Sequence, residues 1–292
     1  MKFKPWNYQQ YAINHVIDNS ASGLFLDMGM GKTVSTLTAI DDLILLGEVN
    51  KVLVIAPLRV AEDTWSTEVD KWDHLKHLRI SKILGSKKQR EEAINTEADI
   101  YVTNRENVDW LVTECFNSWI WDMVVIDELS SFKSSKAKRF RALKKVRPHF
   151  KRIVGLTGTP APNSLIDLWP QIYLLDGGQR LGKTITGYKE RYFKPGRRNG
   201  YVVYNWELKE GSEEAIQNKI SDICISMSAK DYLDIPERID NRVEITLPIK
   251  AMDTYKQLEK DLVLEICEED ITAANAAVLT NKLLQLANGA IY

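Results

Sequence analysis

Two short stretches hold side chains whose types and spacing could do chemistry together. The first is Asp27-Met28-Gly29-Met30-Gly31-Lys32-Thr33. It follows the apolar run Leu24–Leu26 and opens an amphipathic stretch, which is the strand–turn–helix setting of a phosphate loop. Glycine lets such a turn curl until its N–H groups, here from Met28 to Gly31, point at phosphate oxygens, and the helix N-terminus adds positive potential. Lys32 can reach β- and γ-phosphates, and the Thr33 hydroxyl can ligate Mg²⁺, so the pair points to ATP with Mg²⁺. The general pattern would place another glycine at position 26, where this chain has Leu26. The second stretch is Met123-Val124-Val125-Ile126-Asp127-Glu128, an apolar run ending in two carboxylates. In an open α/β sheet, ligands bind beyond the carboxyl ends of strands. Asp127 would hold Mg²⁺, and Glu128 would orient and deprotonate the attacking water. Asp127 could instead cap a following helix, but that does not explain an acidic pair downstream of a phosphate loop.

Those residues need elements that bring them together. Five apolar runs read as buried strands of a parallel sheet: Gly23–Leu26, Val52–Ala56, Ile100–Thr103, Met123–Ile126 and Ile153–Leu156. Helical spacing lies between them at Thr33–Leu46, with Gly47 as its stop, at Val60–Trp72 and at Ser86–Asn95. Strands alternating with helices predict a doubly wound α/β domain over residues 1–175. After Gly177-Gly178 the pattern changes. Residues 176–250 read as a smaller mixed α+β extension. Within it lie helices at Gly187–Tyr192 and Ser212–Ile220, an exposed basic loop from Lys194 to Gly200, and strands at Tyr201–Trp206 and Val243–Leu247. Residues 251–292, with a long helix at Asp253–Glu268, read as a helical linker.

Composition sets the outer bounds. In 292 residues, 44% hydrophobic and 27% charged, there is ample core for a globular chain. No apolar run approaches a bilayer's span and the N-terminus has no secretory pattern, so neither membrane insertion nor export is expected. Three scattered cysteines read as reduced thiols of a cytoplasmic protein. His74 and His77 lack the companions a zinc site needs. The net charge of −1 hides one extreme: Lys133 to Arg152 holds ten Lys/Arg and no acid. Phe140, Leu143 and Val146 would face a core there, leaving the cations outside. A solvated helix face accounts for such a run, but such faces usually mix signs, so the missing acids favour phosphate binding. The tryptophans lie on helical or apolar stretches and read mainly as core.

With these motifs in order, the chain resembles superfamily-two helicase-like ATPases, and most closely the Swi/Snf-type translocases. Tyr8-Gln9-Gln10-Tyr11 is similar to the glutamine motif, which implies that Gln9 reads the adenine edge. Leu26–Thr33 matches that family's own phosphate loop, without the first glycine. Ala56-Pro57-Leu58-Arg59, followed by Trp65, Glu68 and Trp72, resembles a motif whose loop touches a nucleic-acid backbone. Thr103-Asn104-Arg105-Glu106 stands where another strand-contacting motif belongs. Asp127-Glu128-Leu129-Ser130 replaces the usual Asp-Glu-Ala-His box, departing from it at its last two positions. Thr157-Gly158-Thr159-Pro160 matches the motif that links hydrolysis to DNA contact. Ile235–Arg238 and Leu283–Gly289 are similar to the approach to a second motor domain.

The resemblance implies a RecA-like first motor domain that binds and hydrolyses ATP and acts on double-stranded DNA. Its nucleic-acid contacts would include Pro57, Arg59, Thr103, Lys133, Lys136, Lys138 and Arg139. A second RecA-like half, with arginines that reach the γ-phosphate, would be needed for fast turnover. An RNA helicase, a restriction-enzyme motor and a nucleotide-switched binding module are the alternatives. The short layout, without chromatin-reading segments, suggests a bacterial or phage source.

Overall fold

The structure is a computed structural model. It describes all residues except 162–163, 200–201, 204, 233–240, 242–243, 245, 269–272 and 290–292. The chain forms two units, Met1–Ile235 and Pro236–Tyr292.

The first unit alternates helix and strand. In order come α1 (Asn7–Asp18), β1 (Ala21–Leu26), α2 (Lys32–Leu45) and β2 (Val52–Ala56), then a π-helical turn (Val60–Thr64) leading into α3 (Trp65–Lys71). Next are β3 (Ile80–Ile83), α4 (Lys87–Asn95), β4 (Ile100–Asn104), α5 (Val108–Cys115), β5 (Met123–Asp127), α6 (Lys138–Val146), β6 (Arg152–Thr157) and α7 (Leu168–Asp176). The rest is α8 (Ile185–Tyr192), four short strands β7 (Phe193–Pro195), β8 (Arg198–Asn199), β9 (Val202–Val203) and β10 (Trp206–Leu208), then α9 (Ser212–Ile220), β11 (Cys224–Met227) and α10 (Ala229–Tyr232).

Seven strands form one sheet in the order β11-β1-β6-β5-β2-β4-β3, and every pairing is parallel. All seven carboxyl ends therefore open at one edge. Successive side chains of a strand point to opposite faces, which here divides the core. Val124 and Ile126 join the cluster under α5, α6 and α7, whereas Met123 and Val125 join the cluster under α1, α2 and α3. The local signals act as expected. Gly47 takes a left-handed φ of 72°. Its N–H and that of Glu48 close α2 on the carbonyls of Ile44 and Leu43 at 3.0 Å each. Ser86 and Gln89 form a reciprocal capping box at the start of α4.

Three expectations need correction. The break expected at 175/176 is not where the chain divides, because β11 crosses back and pairs with β1, Gly23 lying opposite Cys224. The Gly177-Gly178 pair ends α7 without ending the domain: buried Asp176 accepts from the N–H groups of Gly178 and Arg180, both at 2.7 Å, and pins the turn. The stretch expected as a basic loop from Lys194 instead contributes to two short antiparallel ladders, β7 with β10 and β8 with β9. Ile235–Arg238 lies outside the described residues, as do Val243 and Ile245 of the expected Val243–Leu247 strand. In the second unit, α11 (Ile249–Glu268) and α12 (Ala273–Ala287) pack on one another. No helix among the described residues is long and apolar enough to cross a membrane.

Candidate active site at the carboxyl edge of the sheet

The phosphate loop joins β1 to α2. Gly29 and Gly31 sit at φ 82° and 75°. This left-handed region costs an L-side chain about 1–2 kcal/mol, so both glycines are there for the curl. Met30 is fully buried beneath the loop while Met28 is 88% exposed, so any role of theirs in holding phosphate falls to backbone N–H groups. The Lys32 ammonium donates to the carbonyls of Leu26 at 2.7 Å and Asp27 at 3.0 Å. Burial pulls its pKa down, and the nearby charges of Asp127, Glu128 and Asp27 oppose that shift. The loop is braced from the far end of the domain. The Asp27 carboxylate accepts from the Ala229 N–H at 2.9 Å and the Ser228 hydroxyl at 3.2 Å, just beyond β11.

Two strands away along the sheet's order, beyond β6, β5 delivers the acidic pair. Asp127 Oδ2 accepts from the Trp65 indole Nε1–H at 3.1 Å. Burial pushes the Asp127 pKa up, with the Trp65 hydrogen bond acting against it. Glu128 has φ 58° and ψ 59°, the sole positive φ outside glycine among the described residues. Such a backbone persists only where its surroundings enforce it, and these residues cluster at functional sites. The Glu128 Oε1 atom accepts from the Ser130 hydroxyl and from the Thr157 hydroxyl at 3.2 Å, and Thr157 Oγ1 in turn accepts from the Thr159 N–H at 3.2 Å. Gly158 lies against the loop: a Cβ there would meet the Leu26 carbonyl at 3.4 Å and Met28 N at 3.9 Å. The fold thus joins loop, acidic pair and the Thr157–Thr159 segment, as the sequence predicts. Ser130, at the position where the resemblance expects histidine, is wired directly to Glu128.

Gln9 is buried in an unexpected role. Its Oε1 accepts from the Trp6 N–H at 3.0 Å, and its Nε2 donates to the Met30 carbonyl at 3.3 Å, tying α1 to the loop. An amide has two donors and two lone pairs, so one of each remains for a base. A cleft of about 600 Å³ opens beside it, lined by Lys2, Phe3, Lys4, Trp6, Gln9, Gly29, Gly31, Lys32, Thr33, Val34, Glu68, Lys71 and Trp72. The N-terminal residues were absent from the sequence reading of the site. Phe3 is wedged between His74, stacked at 5.3 Å, and Trp72, edge-on at 5.2 Å, while Trp6 is 64% exposed. The two aromatics ahead of the glutamine motif, Phe3 and Trp6, were the available signal.

The nucleic-acid candidates separate. Arg59 is exposed and Pro57 half-buried, just past the end of β2. Thr103 is fully buried within β4, and its hydroxyl donates to the Ile83 carbonyl at 3.0 Å; it cannot meet a nucleic acid, because its side chain faces the sheet's own packing. Lys133, Lys136 and Lys138 are exposed, as are Arg141, Lys144 and Lys145 on α6. Phe140, Leu143 and Val146 of α6 are buried as predicted. Arg139 is half-buried instead of projecting into solvent. It donates to the Ser131 carbonyl at 2.7 Å, with the guanidinium 5.6 Å from the Phe132 ring centroid. Two further arginines of the run are helix caps. Arg147 bonds the Leu174 and Leu175 carbonyls at the end of α7, and Arg152 bonds those of Val16, Ile17 and Asn19 around the end of α1. Among the tryptophans, Trp65, Trp121 and Trp169 are core. His74 bonds Thr38 and His77 bonds Asp41.

A family model for the SNF2-related domain matches residues 7–288. Putative protein p41 of Acyrthosiphon pisum secondary endosymbiont phage 1 is 42% identical over 297 residues, covering 99% of this chain and 65% of the phage protein. The putative ATP-dependent helicase/translocase YwqA of Bacillus subtilis is 26% identical, covering 87% of this chain and 27% of that protein. Among solved structures, the Sulfolobus solfataricus SWI2/SNF2 ATPase core in complex with dsDNA superposes with a TM-score of 0.64 at 23% identity. That match covers 98% of this chain and 58% of the archaeal chain, and it shows a common fold. The chain therefore spans between roughly a quarter and two thirds of these relatives.

Proposed function

This chain belongs to the SNF2-related family of helicase-like ATPases, and on that premise we propose that it is the ATP-binding half of a motor that moves along double-stranded DNA. The observation that carries the proposal is the shared edge of the parallel sheet. The glycine-rich loop, Asp127-Glu128 and the Thr157 hydroxyl converge there, with Glu128 held in a strained turn.

In this reading the loop N–H groups and Lys32 hold the triphosphate. Lys32 exchanges its two carbonyl partners for phosphate oxygens. The Thr33 hydroxyl and the Asp127 carboxylate are hard oxygen donors of the kind Mg²⁺ prefers, and they would hold that ion. Bound there, Mg²⁺ supplies charge neutralisation on the β- and γ-phosphates. Glu128 offers its Oε2 atom, which has no hydrogen-bond partner among the described residues, to orient and deprotonate the attacking water. Thr157 and Ser130 fix the other oxygen, and Thr157 passes the state of Glu128 to the backbone of Thr159. The closing arginine is assigned to a second RecA-like half, worth about 10³ to 10⁵ in rate, so residues 1–292 alone bind ATP and turn it over slowly.

Double-stranded DNA is the partner in the archaeal core's structure. Support in this chain comes from Arg59 and Pro57 beyond β2, and from the exposed cations Lys133, Lys136 and Lys138 between the acidic pair and α6. These cations would contact phosphates, which gives position without base specificity.

The deciding experiment measures ATP binding and hydrolysis with no nucleic acid, with single-stranded DNA and with duplex DNA, using Lys32→Ala as control. Stimulation by duplex DNA that Lys32→Ala abolishes supports the motor. Binding without turnover under every condition supports dependence on the second half. Absence of ATP binding refutes the assignment of the loop.

A further inference from the structure

Trp65 is a wholly buried side chain, and its one polar atom points at the reaction centre. Indole has a single donor and no acceptor. Trp110 and Trp121 leave theirs without a hydrogen-bond partner, so the fold does not demand that every tryptophan N–H be satisfied. Trp65 instead donates to Asp127 Oδ2 at 3.1 Å, reaching from α3 to the end of β5. Its place in the chain is equally specific. Trp65 is the first residue of α3, directly after the π-helical turn Val60–Thr64. That turn follows Leu58 and Arg59, which are exposed beyond β2, the strand paired with β5.

A π turn is a wound-out helical turn with an extra residue, rare and frequent at functional sites. Residues after it are rotated about the helix axis relative to a continuous α-helix. If Val60–Thr64 tightened to α geometry, Trp65 would swing around that axis and its N–H would leave Asp127. Carboxylates that bind metals are oriented by such outer hydrogen bonds, whose loss typically costs about 10- to 100-fold in metal affinity.

We propose that Trp65 is a positioning residue for the metal-binding carboxylate, and that it makes the orientation of Asp127 depend on the seating of the Val60–Thr64 turn beside Arg59. The inference rests on the reading of Asp127 as a Mg²⁺ ligand. A contact at Arg59 would then reach the ATP site through one turn of helix and one hydrogen bond.

The test is the Trp65→Phe variant, which keeps a buried ring and deletes the donor. Affinity for a mant-labelled ADP is measured by fluorescence anisotropy, first in EDTA and then across a Mg²⁺ titration. The expected result is affinity in EDTA within twofold of wild type and a tenfold or greater increase in the Mg²⁺ concentration needed for the metal-dependent gain. A Mg²⁺ titration that overlays the wild type overturns the inference while leaving the site reading intact. A wild-type chain whose affinity ignores Mg²⁺ overturns the metal reading and this inference with it. If Trp65→Phe does not fold, replacing the indole at position 65 by a benzothiophene ring removes the N–H at nearly constant shape, and the same two outcomes decide.

Discussion

Gly31 and Gln9 should behave as one unit. Gly31→Ala places a side chain at φ 75°, which costs about 1 kcal/mol or slightly more. The added Cβ would also lie 2.4 Å from Gln9 Nε2. Gln9 must then swing away and give up its bond to the Met30 carbonyl, a further cost of about 1 kcal/mol for one buried hydrogen bond. The sum, about 2 kcal/mol, corresponds to a fall in Tm of roughly 4–8 °C for a domain of this size. In a Gln9→Ala background the obstruction is gone and only the backbone part remains, about 1 kcal/mol and roughly 2–4 °C. The cycle is read from thermal melts of the four proteins, with mant-ADP affinity in parallel. Gly31→Ala alone should also weaken nucleotide binding by tenfold or more, because loop and Gln9 move together. If the two substitutions add to within about 0.5 kcal/mol, the contact is not coupled and the account of Gln9 as a brace on the loop is wrong.

Asp127→Asn should stabilise the nucleotide-free chain. Burial raises the Asp127 pKa above its ordinary value of 3.8, so the fold favours the protonated form. That contribution is complete below the unfolded pKa and is lost as pH rises through the folded one. At pH 7–8 the neutral amide should melt higher than wild type, the gain should shrink toward pH 4, and Mg²⁺-dependent nucleotide binding should be lost at every pH. Thr157→Val removes one hydroxyl from Glu128 and should lower ATP turnover tenfold or more while nucleotide affinity changes by less than threefold; the reverse pattern would assign Thr157 to binding. Lys136→Ala and Lys138→Ala should each reduce the slope of log affinity for duplex DNA against log salt by about 0.9 without changing Tm. Arg139→Ala should do the opposite, lowering Tm by several degrees and leaving the slope unchanged, since its guanidinium is spent on Ser131 and Phe132.

The sequence revealed the centre of the sheet better than its margins. Central strands such as Val52–Ala56 are buried on both faces and therefore read as unbroken apolar runs. The edge strands Ile80–Ile83 and Cys224–Met227 are four residues long and alternate with exposed Lys82 and Ser226, so nothing distinguished them from loop. The phosphate loop and the acidic pair were legible because glycine spacing and paired carboxylates are local. Trp65 on Asp127, and Arg152 on the end of α1, are long-range bonds between positions that no local pattern connects. The basic run misled in one respect: charge counts do not separate a lysine in water from an arginine whose guanidinium is turned onto backbone carbonyls, as Arg139 is onto Ser131 and Arg147 onto Leu174 and Leu175. Thr103 misled because its motif marks the strand's end, and the strand runs one residue further to Asn104.

The position of β1 in the sheet also sets an order for assembly. The strand that carries the phosphate loop is flanked by β6 and β11, with Ala21 opposite Ile153 and Gly23 opposite Cys224. Neither neighbour has been synthesised when β1 leaves the ribosome, and the second is not available until Met227 has emerged. Until then an apolar segment with unpaired backbone groups on both sides waits in the open, a template for wrong pairing. Parallel pairing over such sequence distances closes slowly. Pairing on both sides of β1 is thus complete only once Met227 has emerged, so a change of translation speed over the stretch from β6 to β11 is expected to alter the yield of folded domain.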